Sequence, residues 1–305
     1  MPQITRDTNG VFIIAATPFD LNGAIDTESL RRLIDFYLDH GVDGMTILGI
    51  MGEANKMTQE ERRGVIDLVM DRVGNLPVVV GVSDAGLANL ADLGRYTMDR
   101  GAAGLMVAPA PGPARDDRIE GYIHAVAGAL PDVPLVYQDF PLTTGLPVSP
   151  ALIRRLSDDL PQMVMLKHED WPGLGKISAL RRMEETGDHS RLSILCGNGG
   201  LFLPLELARG ADGAMTGFAY PEALVRTVAL HRAGRRDEAE DLFDAYLPLV
   251  RLEQQPGAGL AVRKHILMRR GAIATPATRA PGPSLTPTDT AEIDRMMERL
   301  ERRLA

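Results

Sequence analysis

The chain has 305 residues, 45% of them hydrophobic and 24% charged, with a formal net charge of −8. That length holds one large α/β domain or two ordinary ones, and the acidic balance argues against a nucleic-acid partner and gives no reason to expect a membrane surface. A single cysteine, Cys196, leaves no internal disulfide and no zinc cluster, and neither a run of 18 apolar residues nor a basic-then-apolar leader occurs, so a soluble, cytoplasmic protein is expected.

Eight short apolar runs of strand length occur in order, at 11–16, 44–48, 77–82, 103–108, 133–138, 162–167, 192–196 and 212–216. Most are spaced about 26 to 33 residues apart, the length of one βα unit. After the first run, "DTESLRRLIDFYLDHG" offers Asp26 or Thr27 as N-cap, a face of Leu30, Leu33, Ile34 and Leu38, and Gly41 as terminator. After the second, "TQEERRGVIDLVMDRVG" repeats the design, with Thr58 and Glu61 at capping-box spacing and Gly74 at its end.

The runs are continuously apolar rather than alternating, so both faces are buried, as in a parallel sheet covered by helices. Eight such units predict an α/β fold, a closed (β/α)8 TIM barrel. A doubly wound open sheet is the weaker reading, because no GxGxxG opens the first helix. Helical patterns at 221–233, 236–252 and 258–271 follow, then a proline-rich passage (Pro276, Pro281, Pro283, Pro287) and a last helix at 288–304. The barrel is therefore placed at 1–233 and a C-terminal helical appendage at 234–305.

Active sites in such barrels lie at the C-terminal ends of the strands. Those ends carry "TPFD" (Thr17–Asp20), "GIMGEAN" (Gly49–Asn55), "YQDFPLTTG" (Tyr137–Gly145), Lys167, "CGNGG" (Cys196–Gly200) and "MTGFAYP" (Met215–Pro221). Lys167 is one of only four lysines and closes the apolar run Met163–Leu166. It reads either as a buried ion pair with Glu53, Glu169 or Asp170, or as a nucleophilic amine, because apolar surroundings disfavour the ammonium form. Tyr137, at the end of the neighbouring strand, reads alone as a core tyrosine with its hydroxyl capped by a backbone carbonyl, but beside the lysine it favours the second reading: a phenol there can carry protons while a carbinolamine collapses to an imine.

The turn Gly49, Ile50, Met51, Gly52 and Glu53 can aim backbone N–H groups at a small anion such as a carboxylate. Thr17, Asp139, His168, Gly197, Asn198, Met215 and Thr216 complete the expected substrate-binding set. Glu53, Asp139, His168 and Glu169 are the candidates for general acid or base. No metal and no cofactor is expected, the covalent imine on Lys167 serving instead. A metal-dependent barrel aldolase or hydratase is the competing enzyme class.

Taken in order, the TPF, the GxxGE after the second strand, the tyrosine after the fifth and the lysine after the sixth resemble the dihydrodipicolinate synthase/N-acetylneuraminate lyase family across essentially the whole chain. The resemblance implies a barrel, usually a homotetramer, that binds a 2-oxo acid as a Schiff base on Lys167, with Tyr137 as the proton-transfer phenol and the GIMGE turn holding the carboxylate. The family's turn is usually Gly-Thr-Thr-Gly-Glu or Gly-Ser-Thr-Gly-Glu, whereas Ile50 and Met51 replace both hydroxyls. The synthase motif Tyr-Asn-x-Pro-x-Arg-Thr becomes "YQDFPLTTG", one residue longer before Pro141, with Thr143 in place of the arginine. The synthase's tyrosine pair after the fourth strand has no counterpart in "APAPGPARDD" (108–117).

The "QDFP" element, "GAMTGFAYP" and the tail "LPLVRLEQQPGAGLAVRKHILMRRGAI" resemble 2-keto-3-deoxy-sugar-acid dehydratases, especially the 2-keto-3-deoxyarabonate type, in which the fifth-strand tyrosine can be lacking. The expected function is a Schiff-base-forming lyase that dehydrates or cleaves a 2-keto-3-deoxy sugar acid or similar 2-oxo acid. Alternatives are a pyruvate-donor aldolase like the synthase or N-acetylneuraminate lyase, and a non-catalytic 2-oxo-acid-binding protein on the same scaffold. The expected partners are the small-molecule substrate and further copies of the chain, as tetramer or dimer, with no nucleic acid and no membrane.

Overall fold

A computed structural model describes residues 2–109, 115–186 and 189–304. Each of the eight apolar runs forms a strand: β1 (Gly10–Ile14), β2 (Gly44–Ile47), β3 (Val78–Gly81), β4 (Gly104–Val107), β5 (Leu135–Asp139), β6 (Met163–His168), β7 (Ser193–Cys196) and β8 (Gly213–Thr216). Every strand pairs in parallel with the next, and β8 closes on β1, giving a complete barrel. Closure leaves no unpaired sheet edge.

Successive side chains of a strand point to opposite faces, so each run supplies two layers of core. Phe12, Ile14, Val79, Met106, Val136, Met165, Leu195 and Met215 form the inner cluster that fills the barrel. Val11, Ile13, Met45, Ile47, Val80, Leu105, Leu166 and Ile194 point the other way and pack with the apolar faces of the surrounding helices.

The helices are α1 (Thr27–Asp39), α2 (Gln59–Arg72), α3 (Leu87–Asp99), α4 (Asp116–Ala129), the short α5 (Pro141–Thr144), α6 (Pro150–Asp159), α7 (Leu174–Glu185), the short α8 (Leu203–Leu207) and α9 (Pro221–Arg232). Three more follow at the C-terminus: α10 (Arg236–Glu253), α11 (Gly259–Arg269) and α12 (Pro287–Leu304). The caps are those the sequence predicts. Asp26 accepts from Ser29 N at 2.9 Å to open α1, and the Thr58–Glu61 box at α2 is reciprocal, at 2.9 and 3.2 Å. Such a cap contributes about 1 kcal/mol. No described helix is long and apolar enough to cross a membrane.

Two features of this frame shape the barrel mouth. The first is α11, which is buried nearly all round: Arg263, Lys264 and His265 are consecutive and all buried. The second is the approach of β3 to the turn after β2. Leu48 opens that turn with φ 55°, in the left-handed region, and a Cβ at Gly81 would overlap the Leu48 carbonyl. Backbone cannot yield as a flexible side chain does, so Gly81→Ala is expected to cost about 1–3 kcal/mol by urea unfolding. Unchanged stability would show that the turn tolerates displacement.

Candidate active site

The alternation that builds the barrel also decides which strand-end residues face its mouth. On β6, Met165 points inward and Leu166 outward, so Lys167 points inward again. It lines a cavity of about 590 Å³, within the usual range for small-molecule sites. Its Nζ lies 2.8 Å from Glu169 Oε2, and that same oxygen accepts from Gln138 Nε2 at 2.7 Å. Gln138 is the register partner of Lys167 across β5 and β6.

Tyr137 is a correction to the sequence reading. It pairs in register with outward-facing Leu166 and packs in the layer between strands and helices. Its hydroxyl is buried with no partner among the described residues, and burial, with Asp139 and Asp116 adding, holds the phenol far above its ordinary range. The side chain that stands beside Lys167 is Gln138. The signal was present: the motif Tyr-Asn-x-Pro places its tyrosine three residues before the proline, and three before Pro141 is position 138.

Asp139 and His168 are corrected for the same reason. Both are buried behind the strand ends, Asp139 accepting from Lys176 Nζ of α7 at 2.7 Å and lying 3.8 Å from His168 Nδ1. Neither lines the cavity.

The GIMGE turn is a single 3-10 turn, Ile50–Gly52, in which Gly52 N bonds Gly49 O at 3.0 Å. Ile50, Met51 and Glu53 line the cavity, while Gly49 and Gly52 supply the turn's backbone. Thr17 Oγ1 donates to Gly52 O at 2.7 Å, so it braces the turn from behind rather than lining the cavity. Glu53, at φ 57°, is held from three sides: Oε1 accepts from Lys264 Nζ at 2.6 Å, and Oε2 from Lys56 Nζ at 2.7 Å and Arg279 N at 3.0 Å. Burial lowers the Lys264 pKa, and the Glu53 charge opposes that shift. Phe19 of the TPF element places its ring under both Lys264 and Arg279, at 4.6 and 4.9 Å.

Of the remaining expected residues, Asn198 and Thr216 line the cavity, and Asn198 Nδ2 donates to Glu169 O at 3.2 Å. Gly197 leaves room for Glu169, whose side chain a Cβ there would overlap. Met215 belongs to the inner barrel core. The sequence reading missed Arg263 and Glu253, a buried pair joined at 2.8 Å in the cavity wall. Burial raises the Glu253 carboxyl and Arg263 pulls it back. Consecutive basic residues inside an otherwise apolar helix were the available signal, since a helix hides adjacent residues only when it is buried all round.

Glu120, His124 and Asp159 offer ligand atoms within 4.8 Å of one another on α4 and α6, and none of them lines the cavity. The stretch 108–117, which has no tyrosine, lies partly outside the described residues, at 110–114.

Glu206, on α8, stands near His168 and the Cys196 thiol. Burial pushes its carboxyl up to about 7, with His168 and Cys196 opposing. The unfolded chain ionises this group near 4.5, whereas the folded chain keeps the proton to about 7. The unfolded state therefore binds fewer protons in that window, and stability falls as pH rises through it. Glu206→Gln is expected to remove a decline on the order of 3 kcal/mol between pH 4.5 and 8, read by urea unfolding at both pH values. Parallel pH profiles for variant and wild type would refute the assignment.

A closed parallel barrel with the Lys167 amine at the wall of a ligand-sized cavity at its mouth is the architecture of a small-molecule enzyme. The sequence profile described as the Dihydrodipicolinate synthetase family matches residues 7–302, and the chain belongs to this family of lyases and synthases. It is 29% identical to L-2-keto-3-deoxyarabonate dehydratase of Azospirillum brasilense, over 96% of this chain and 94% of that one. It is 30% identical to 4-hydroxy-tetrahydrodipicolinate synthase of Methanothrix thermoacetophila, over 81% of this chain and 83% of that one. The crystal structure of a dihydrodipicolinate synthase from Rhodopseudomonas palustris superposes with a TM-score of 0.96 at 48% identity, covering 98% of this chain and 100% of that chain.

Proposed function

We propose that the protein is a Schiff-base dehydratase of 2-keto-3-deoxy acids, with Lys167 as the imine-forming residue and Glu169 as its proton carrier. The observation that carries this reading is the Lys167–Glu169–Gln138 chain at the cavity wall, an amine 2.8 Å from a carboxylate that a neutral amide holds in place. The backbone N–H groups of the GIMGE turn take the C1 carboxylate, and Lys167 Nζ adds to C2. The carbinolamine hydroxyl leaves as water with a proton delivered through Glu169. In the protonated imine the C3–H bond is acidified; its proton passes to Glu169 and the C4 hydroxyl departs, reprotonated, as C3=C4 forms. Hydrolysis of the imine frees the lysine, and the net change is loss of one water from the substrate.

Three features favour dehydration over synthase chemistry. Gln138 occupies the place of the synthase-type phenol. Thr143 lines the cavity where the synthase motif carries an arginine, so no guanidinium from that position awaits a second carboxylate. The Azospirillum relative is named as a 2-keto-3-deoxyarabonate dehydratase.

Borohydride with pyruvate is expected to reduce an imine onto Lys167, read as an irreversible mass gain on the peptide that contains it and absent in Lys167→Ala. Saturating pyruvate without an adduct would sink the Schiff-base reading. Glu169→Gln is expected to lower kcat for dehydration by about 10²- to 10⁴-fold, the usual contribution of a positioned acid or base, with KM changing far less. An equal loss in Gln138→Tyr would be consistent with this; a gain of synthase activity in that variant would favour the competing chemistry.

A further inference from the structure

We propose that Arg263 selects the substrate by holding a hydroxyl on C5, one carbon beyond the leaving group, so that the site takes hydroxylated 2-oxo monocarboxylates rather than dicarboxylates. The inference rests on Lys167 holding C2 as an imine. Arg263 rises from α11 into the cavity wall and is 1% exposed. Its Nε donates to Glu253 Oε2 at 2.8 Å, and the other Glu253 oxygen accepts from Ala219 N at 3.2 Å. Its Nη1 is buried and has no acceptor among the described residues. A guanidinium N–H withdrawn from water without an acceptor is costly, and such a donor inside a ligand cavity marks where a ligand oxygen belongs.

The surroundings place that oxygen. A Cβ at Gly217, just past β8, would overlap Arg263 Nη1, so the glycine makes the room that the guanidinium occupies beside the strand end. Gly217, Thr216, Arg263 and Lys167 line the same cavity. Arg263 thus faces the substrate from β8 and the C-terminal helices, whereas the carboxylate turn faces it from β2.

The charges decide what kind of oxygen fits. Glu53 is matched by Lys56 and Lys264, Glu169 by Lys167, and Glu253 by Arg263. Three carboxylates thus meet four cations, a surplus that one substrate carboxylate balances. A second carboxylate at the far end would be a buried charge without a free counter-ion, because Glu253 already neutralises Arg263. A hydroxyl satisfies Nη1 without adding charge.

Three five-carbon 2-oxo acids that share a C4 hydroxyl and differ only at C5, as CH2OH, CH3 or CO2−, test this directly. Wild-type kcat/KM is expected to favour the alcohol over both others by about 10- to 100-fold, the range for a charge-assisted hydrogen bond left unmade. Arg263→Lys retains a cation for Glu253 but loses Nη1, and is expected to flatten that preference. Its borohydride trapping with pyruvate, which has no C5, should fall at least tenfold less than its turnover of the alcohol. Equal wild-type turnover of all three acids would overturn the proposal without touching the lysine chemistry. So would an undiminished preference in Arg263→Lys, or trapping and turnover that fall together. Absence of pyruvate trapping in the wild type would instead overturn the Schiff-base reading, and competitive binding of the three acids would then still report the C5 preference.

Discussion

The Glu53 carboxylate is the tie on which the shape of the mouth depends. It is buried with Lys264 against it, both side chains almost wholly removed from water. Two lysines and one backbone N–H meet its two oxygens, and breaking a pair of this kind costs about 3–5 kcal/mol because it strands a charge. The geometric consequence is larger than the energetic one. Glu53 ends the GIMGE turn, Lys264 lies in α11, and Arg279 lies in the proline-rich passage, so one carboxylate fixes three segments far apart in sequence. Arg279 extends the tie, donating to Lys56 O at 3.0 Å and to Glu61 of the α2 capping box at 2.8 Å. The C-terminal helices are therefore part of the site, although the strands alone define the barrel.

The pleat is the second constraint, and it explains what the sequence made legible. Continuous apolar runs betrayed the strands, because a barrel strand is buried on both faces and needs no polar alternation. Lys167 was legible as a lone cation closing such a run. Tyr137 was misplaced because its chemistry suited the site, while its parity along β5 did not: Val136 and Gln138 face in, Leu135 and Tyr137 face out. A step of one residue exchanges the two faces of a strand, so residue type cannot substitute for register. Arg263 and Glu253 were hidden for a different reason. The run of basic residues in α11 signals burial, but their place in the cavity follows from how α10 and α11 fold back over the barrel.

The scarcity of lysine takes on a physical meaning in this setting. Arginine serves the surface pairs, as in Arg72–Asp35 and Arg100–Asp67. All four lysines instead sit in ion pairs at or behind the strand ends: Lys56 and Lys264 on Glu53, Lys167 on Glu169, Lys176 on Asp139 and Asp170. Arginine also fills buried pairs, as in Arg263–Glu253 and Arg154–Glu184, but only an amine can give up its proton and act as a nucleophile. Three of these lysines neutralise buried carboxylates that organise the mouth. Lys167 differs in that its partner, Glu169, meets no second cation among the described residues and is held instead by the neutral Gln138 amide.

Replacement of hydroxyls at the carboxylate turn fits this division of labour. With Ile50 and Met51 in the turn and Gln138 in place of a phenol, the usual hydroxyl groups of a proton relay are missing from the side of the cavity that faces Lys167. Ile50, Leu142 and Trp171 make the outer rim apolar and are each partly exposed there. Of the three carboxylates that line the cavity among the described residues, Glu53, Glu169 and Glu253, it is Glu169 that contacts the Lys167 amine, with Gln138 bonded to it. On the proposed reading, proton transfer is therefore concentrated in one residue that touches the nucleophile directly. Dehydration needs only a short shuttle between C3, the nitrogen and the departing oxygen, all within reach of one side chain; condensation with a second substrate would need the relay and the guanidinium that this chain has replaced.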